Sequence, residues 1–216
     1  MSFELAHSTR RLLTSYCMQG APTIAIEPLS SNLLRLRSSL CRNPSLGQRV
    51  TVIATAVGAE TRKNCTLFSG ITNQGDGILE CSPNFTAPEG YQIRQHGVQV
   101  TRLDDLLEDV PDIAYIKMDI EGAEYLAAFG GNHTLFERGV PYIQVEYNAA
   151  ALAHNTPDPP YSFLQLFVEA GYTLSLKEFN ASQILSPEQI HHASGQDPVE
   201  VYLTYDQIAQ TPSSDV

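Results

Sequence analysis

A chain of 216 residues, 43% hydrophobic and 17% charged, is long enough to enclose one substantial core. A formal net charge of −11, with no basic stripe, argues against a nucleic-acid backbone or an anionic membrane as partner. No apolar run reaches the roughly 18 residues that a transmembrane helix needs, and no internal repeat is visible.

Residues 2–18 read as a helix, with Phe3, Leu5, Leu12, Leu13 and Tyr16 as its apolar stripe and Gly20 as its stop. Thr23–Ile26 is a short buried strand ending at Glu27-Pro28, and residues 32–40 return to helical spacing through Leu33, Leu36 and Leu40. A carboxylate at the end of the second strand of a nucleotide-binding sheet can accept hydrogen bonds from both ribose hydroxyls. Glu27 fits that role, and also fits the plainer one of an acid at a helix start. Residues 50–57 form the third strand, closed by the turn Gly58-Ala59-Glu60.

Between residues 64 and 99 the pattern weakens. Residues 65–68 are a candidate strand, 73–77 carry turn chemistry, and 84–91 read as loop. Such a long loop in a compact domain is often a lid or an acceptor surface. Residues 98–100 are a short strand, and Thr101 is the expected N-cap of a connector helix over 102–107.

Residues 113–118 are mostly apolar and β-branched, the pattern of a buried strand. Tyr115, Lys117 and Asp119 share one of its faces. Asp119-Ile120-Glu121-Gly122-Ala123-Glu124 then places three carboxylates in six residues. A helix follows through Ala123, Leu126 and Ala127, and Gly130-Gly131 is expected to end it in a left-handed cap. In open α/β sheets ligands sit outside the carboxyl ends of the strands, where Asp119 falls; it reads as a functional acid or as an N-cap. Glu121 and Glu124 fall in the first helical turn, where the dipole alone accounts for negative charge. Lys117 needs a carboxylate partner or an exit to water. Residues 141–148 are the next strand, and Glu146 either pairs with Lys117 across it or faces a substrate.

An amphipathic helix over 161–170, a strand over 172–176, a helical turn over 187–190 and a strand over Val199–Tyr205 complete one domain spanning 1–207. Residues 208–216 are an expected disordered tail. His191-His192 has no companion at metal spacing and reads as solvated. A metal at Asp119 lacks a convincing second ligand, and none is assigned. Cys17, Cys41, Cys65 and Cys81 show neither CxxC nor zinc spacing and read as free thiols. Asn64, Asn84, Asn132 and Asn180 each begin an Asn-x-Ser/Thr triplet, which matters only in a secretory compartment. The default location is the cytoplasm, or a secretory compartment if the natural start lies upstream of Met1.

Residues 116–124, Ile-Lys-Met-Asp-Ile-Glu-Gly-Ala-Glu, resemble the Lys-x-Asp-x-Glu-Gly-x-Glu signature of FkbM-type methyltransferases. The order of elements matches from about residue 3 to residue 205. The resemblance implies an α/β fold with a Rossmann-like class I methyltransferase sheet, mostly parallel with an antiparallel last strand. It implies S-adenosylmethionine as cofactor and O-methylation of a hydroxyl on a small molecule or glycan. Ile26-Glu27-Pro28 resembles the family's Phe-Glu-Pro, which puts Glu27 on the cofactor ribose. Ala56 would lie near the adenine, and Asp119 would border the cofactor. Asp119 or Glu146 would orient or deprotonate the acceptor, with Lys117 and Glu121 completing the catalytic set. Residues 102–107 resemble the family's Thr-Leu-Asp-x-Leu element.

One segment departs from the family. Its first strand and glycine-rich turn, Asp-x-Gly-Ala-Asn-x-Gly, have no counterpart if the first helix begins near Met1, and no glycine precedes Gly20. The expectation is an N-terminally truncated chain, without the strand that belongs between those ending at Glu27 and Asp119, and a poor binder of cofactor. Two other readings stay open. One is a catalytically impaired remnant of the fold that serves as a binding module. The other is a nicotinamide-dependent oxidoreductase, in which Glu27 reads the same way but the acidic triplet has no place.

Overall fold

A computed structural model describes residues 2–6, 20–72, 77–179, 183–195 and 197–205, the first of these by backbone alone. The strands are β1 (Ser2–Ala6), β2 (Thr23–Ile26), β3 (Val50–Ile53), β4 (Ala56–Val57), β5 (Arg62–Gly70), β6 (Ile78–Glu80), β7 (Tyr91–Thr101), β8 (Tyr115–Asp119), β9 (Tyr142–Tyr147), β10 (Tyr172–Ser175) and β11 (Val199–Tyr205). The helices are α1 (Ser30–Arg42), α2 (Pro44–Gly47), α3 (Leu103–Leu107), α4 (Glu124–Gly130), α5 (Ala149–Leu152), α6 (Ser162–Glu169) and α7 (Pro187–Ser194), with a π-helical turn at His133–Glu137.

The strands form two sheets. The larger runs β10-β11-β9-β8-β1-β2-β3, and the smaller β4-β7-β5-β6. In the larger sheet β11 is antiparallel to both neighbours, and among the described residues every other pairing is parallel. The buried strands are continuous apolar runs because both faces are covered. Ile116, Met118, Ile143, Val145, Val201 and Leu203 are all fully buried. Helix α6 adds Phe163, Leu164 and Phe167, each completely enclosed and each contributing about 1.5–3 kcal/mol of transfer free energy.

The N-terminal expectation is corrected here. Residues 2–6 are a strand, not the start of a helix, and 7–18 lie outside the described residues. Strand β1 pairs with β2 from Ser2↔Thr23 to Leu5↔Ile26 and with β8 from Ser2↔Tyr115 to Ala6↔Asp119. It occupies the position between the strands ending at Glu27 and Asp119, and both of its edges are hydrogen-bonded. Phe3 and Leu5 fit period two as well as they fit a helical stripe, and over five residues periodicity cannot arbitrate. Pairing on two sides decides it.

The third strand also differs. It leaves the larger sheet at Ile53, and Ala56–Val57 joins the smaller one, paired with Val100 and Thr101 of β7. Thr55 marks the crossing, its hydroxyl 3.0 Å from the Gln99 carbonyl and 2.9 Å from the Thr101 hydroxyl. Thr101 is therefore used at the strand end, and Arg102 holds the N-cap of α3 without a side-chain cap bond.

The stretch expected as loop is mostly sheet. Strands β5 and β7 pair antiparallel with register shifts between Arg62 and Phe68, and Gly97 has φ +70. These irregularities break the alternation that identifies a strand in sequence. Leu67, Val98 and Val100 build a small core here with Leu29, Ala56 and Cys65. Cys65 and Cys81 are joined in a disulfide, which corrects their reading as free thiols. Cys41 remains free and exposed. His191 is half-buried rather than solvated, with Nδ1 2.8 Å from the Tyr147 hydroxyl.

Candidate active site

The acidic turn after β8 is built by backbone strain and close packing. Glu121 has φ +56 and Gly122 φ +90, so the chain turns left-handed before α4 begins at Glu124. Glu121 therefore lies outside the first helical turn where sequence placed it. A non-glycine residue at positive φ is uncommon and concentrates at functional sites. A Cβ on Gly122 would stand 2.6 Å from the Ala151 carbonyl oxygen, so only glycine lets α5 close over the turn. Gly130 ends α4 for a related reason: a Cβ there would collide with the Gly58 carbonyl oxygen. Gly131 has φ −114, so close approach, not a left-handed cap, explains this glycine pair.

The turn brings three of the expected acids together. Carboxylate oxygens of Asp119, Glu121 and Glu146 all lie within 4.8 Å of one another, at the carboxyl ends of β8 and β9. Three hard oxygen ligands can hold a divalent cation, and geometry thus supplies the further ligands that sequence did not. Lys117 Nζ lies 2.9 Å from Asp119 Oδ2 and 3.6 Å from Glu200 Oε1. Strand neighbours extend this polar face. Tyr115 donates to Gln144 Oε1 at 2.6 Å, and Gln144 Nε2 donates to Glu200 Oε2 at 2.9 Å. Sequence reasoning missed Glu200 and Gln144. The signal was available in their alternation with Val199 and Val201, and with Ile143 and Val145.

Glu124 is the fourth acid, and its environment is unlike the others. It is 1% exposed, and its Oε1 accepts the Ile120 N–H at 2.8 Å. Burial pushes its pKa up to about 8, and the Glu146 and Asp119 carboxylates push the same way. At neutral pH it is held protonated beside the cluster.

A cavity of about 310 Å³ adjoins the turn. Its walls come from Ile26 at the end of β2 and Pro28 beyond it, residues 55–60 around β4, residues 77–81 around β6, and Ile120, Glu121 and Ala123. Glu121 belongs both to this wall and to the carboxylate cluster. Ala56 lines the cavity as expected. Glu27 sits between two lining residues but is fully buried. One of its oxygens accepts the Leu29 N–H at 2.8 Å and the other the Asn32 amide at 3.1 Å, so it also serves the start of α1.

This arrangement can seat a small molecule against an apolar and backbone-rich wall and present one end to a cluster of proton acceptors. The methyltransferase FkbM domain model matches residues 3–174. The chain belongs to the FkbM methyltransferase family. A solved methyltransferase FkbM from Methylobacillus flagellatus KT is similar over 94% of this chain and 43% of that one, at 19% identity and a TM-score of 0.56. That likeness speaks to the fold, and this chain spans less than half the length of that protein. A precorrin-6y C5,15-methyltransferase from Geobacter metallireducens GS-15 aligns over 94% of this chain and 78% of its own, at 12% identity and a TM-score of 0.43, too low to argue from. Among curated proteins no match is found. The family assignment does not favour the oxidoreductase alternative.

Proposed function

We propose that this chain transfers the methyl group of S-adenosylmethionine to a hydroxyl of a small molecule or glycan. The carrying observation is the meeting of the cavity and the carboxylate cluster at Glu121. A Rossmann-like class I methyltransferase sheet is supported by the run of parallel strands with β11 alone reversed, next to the edge. The pairing of β1 between β2 and β8 supports the same reading.

The cavity fits the cofactor by its chemistry. Ala56 and Gly58 offer a wall without large side chains, Ile120 and Leu126 offer apolar surface for a base, and Glu27 lies at the end of β2 where a ribose would be met. The bound cofactor supplies an electrophilic sulfonium methyl. The protein's residues hold the acceptor oxygen in line and accept its proton, so that the O–C bond forms as the S–C bond breaks. Asp119 and Glu146 are the proton acceptors within reach of one another, and Lys117, 2.9 Å from Asp119, orients it. Glu121, held in its strained turn, positions the acceptor beside the cavity. Methyl-labelled S-adenosylmethionine incubated with a panel of sugars and small alcohols tests this. Label on an acceptor oxygen is the expected result. Binding without transfer to any acceptor would instead assign the binding-module alternative.

A further inference from the structure

The smaller sheet carries features that methyl transfer does not use. Cys65 on β5 and Cys81 just after β6 are bridged, and Cys65 is fully buried. Disulfides form and persist in oxidising compartments and are rare in the cytosol. Around this bridge lie two Asn-x-Ser/Thr triplets, Asn64-Cys65-Thr66 and Asn84-Phe85-Thr86. Asn84 is exposed in the turn between β6 and β7, followed by an exposed Thr86. Phe85 stays behind, its ring 4.5 Å from that of Phe68, so the turn is pinned with the asparagine outside. Asn64 is exposed as well, at φ +63, within the register shift between Arg62 and Cys65. A third triplet is closed by the fold. Asn132 Nδ2 donates to Glu137 Oε1 at 3.0 Å, and Thr134 is 1% exposed.

We propose that the chain matures in an oxidising secretory compartment and carries N-linked glycans at Asn84 and Asn64. In the modification, the asparagine Nδ2 bonds to C1 of an oligosaccharide carried on a lipid pyrophosphate. The C1–O bond to the pyrophosphate breaks, and the displaced amide proton leaves with that group. In forming the bridge, the Cys65 and Cys81 thiols lose two protons and two electrons to a protein or glutathione disulfide, which is reduced to thiols. Bridge and acceptors share one compartment, and two independent kinds of observation point to it. Residues 77–81 also form a wall of the cavity, so the bridge anchors that wall to β5.

The test uses protein isolated from its natural source. Free thiols are alkylated before reduction, and glycans are then released by peptide N-glycosidase in heavy-oxygen water. The expected result is Asn84 and Asn64 recovered as heavy-oxygen aspartate, Asn132 unchanged, and Cys65 and Cys81 alkylated only after reduction. An unmodified Asn84, or Cys65 and Cys81 alkylated without reductant, overturns the proposal. A bare Asn64 overturns its own assignment as an acceptor. None of these outcomes bears on methyl transfer, so the two readings fail separately.

Discussion

The Lys117 ammonium lies 2.9 Å from the Asp119 carboxylate, two residues along one strand, with the side chains only 8% and 13% exposed. Period two puts both on the same face of β8, and the sheet buries them together. Removing one partner of a buried pair leaves an uncompensated charge, which costs about 3–5 kcal/mol. Lys117→Met is therefore expected to destabilise the fold on that scale, and Lys117→Met/Asp119→Asn to be the more stable of the two. Denaturant unfolding of both variants checks the order. Asp119→Asn alone should lower methyl transfer by at least about a hundredfold, the scale of one acid–base group.

Glu27 has two duties, and its variant should show both. Glu27→Ala removes a charged acceptor from the Leu29 N–H and the Asn32 amide, so a stability loss of about 1–3 kcal/mol is expected. If it also meets the ribose, affinity for S-adenosylhomocysteine falls by a further 1.5–3 kcal/mol or so. Calorimetric titration at a temperature where the variant is folded separates the two. Unchanged affinity would leave Glu27 as a helix-start residue only.

Glu124 should make the fold less stable as pH rises. Its folded pKa is about 8 against an ordinary 4.5, so between those values the native state holds a proton that the unfolded chain has lost. Stability then falls across that window, with the whole cost present above pH 8. Glu124→Gln keeps an acceptor for the Ile120 N–H and removes the titration. The variant is expected to match wild type near pH 4.5 and to exceed it by a few kcal/mol near pH 8. Urea unfolding at the two pH values measures the gap, and a gap independent of pH would refute the assignment.

The turn that presents Glu121 should tolerate no side chain at Gly122. Gly122→Ala adds a Cβ 2.6 Å from the Ala151 carbonyl at φ +90. The left-handed conformation alone costs about 1–2 kcal/mol, and α5 must also move. Reduced thermal stability together with reduced turnover is expected. Unchanged turnover would show that Glu121 placement does not matter to the reaction.

Much of this was legible in the sequence. Ile116, Met118, Ile143 and Val145 announce buried strands, and the Asp119–Glu124 run marks the end of a strand before a helix. Lys117, Asp119, Glu121 and Glu146 do converge. Residues 2–6 were not legible, because Phe3 and Leu5 fit two periods and only β2 and β8 choose between them. The smaller sheet was hidden by polar residues such as Gln92, Arg94, Gln95 and His96 and by the break at Gly97. The Cys65–Cys81 bridge could not be found either, since sixteen residues of separation say nothing until β5 and β6 are paired. Glu124 looked like a surface acid at a helix start, and only packing reveals that it is enclosed.

If the cavity beside Glu121 seats the cofactor, titration and a crystal grown with S-adenosylhomocysteine will show it there. The expected result is a dissociation constant on the order of 10 μM and ligand density against Ala56 and Pro28, with the sulfur end toward Asp119, Glu121 and Glu146. No binding at roughly millimolar ligand, or density on a surface remote from Ala56 and Glu121, would contradict it.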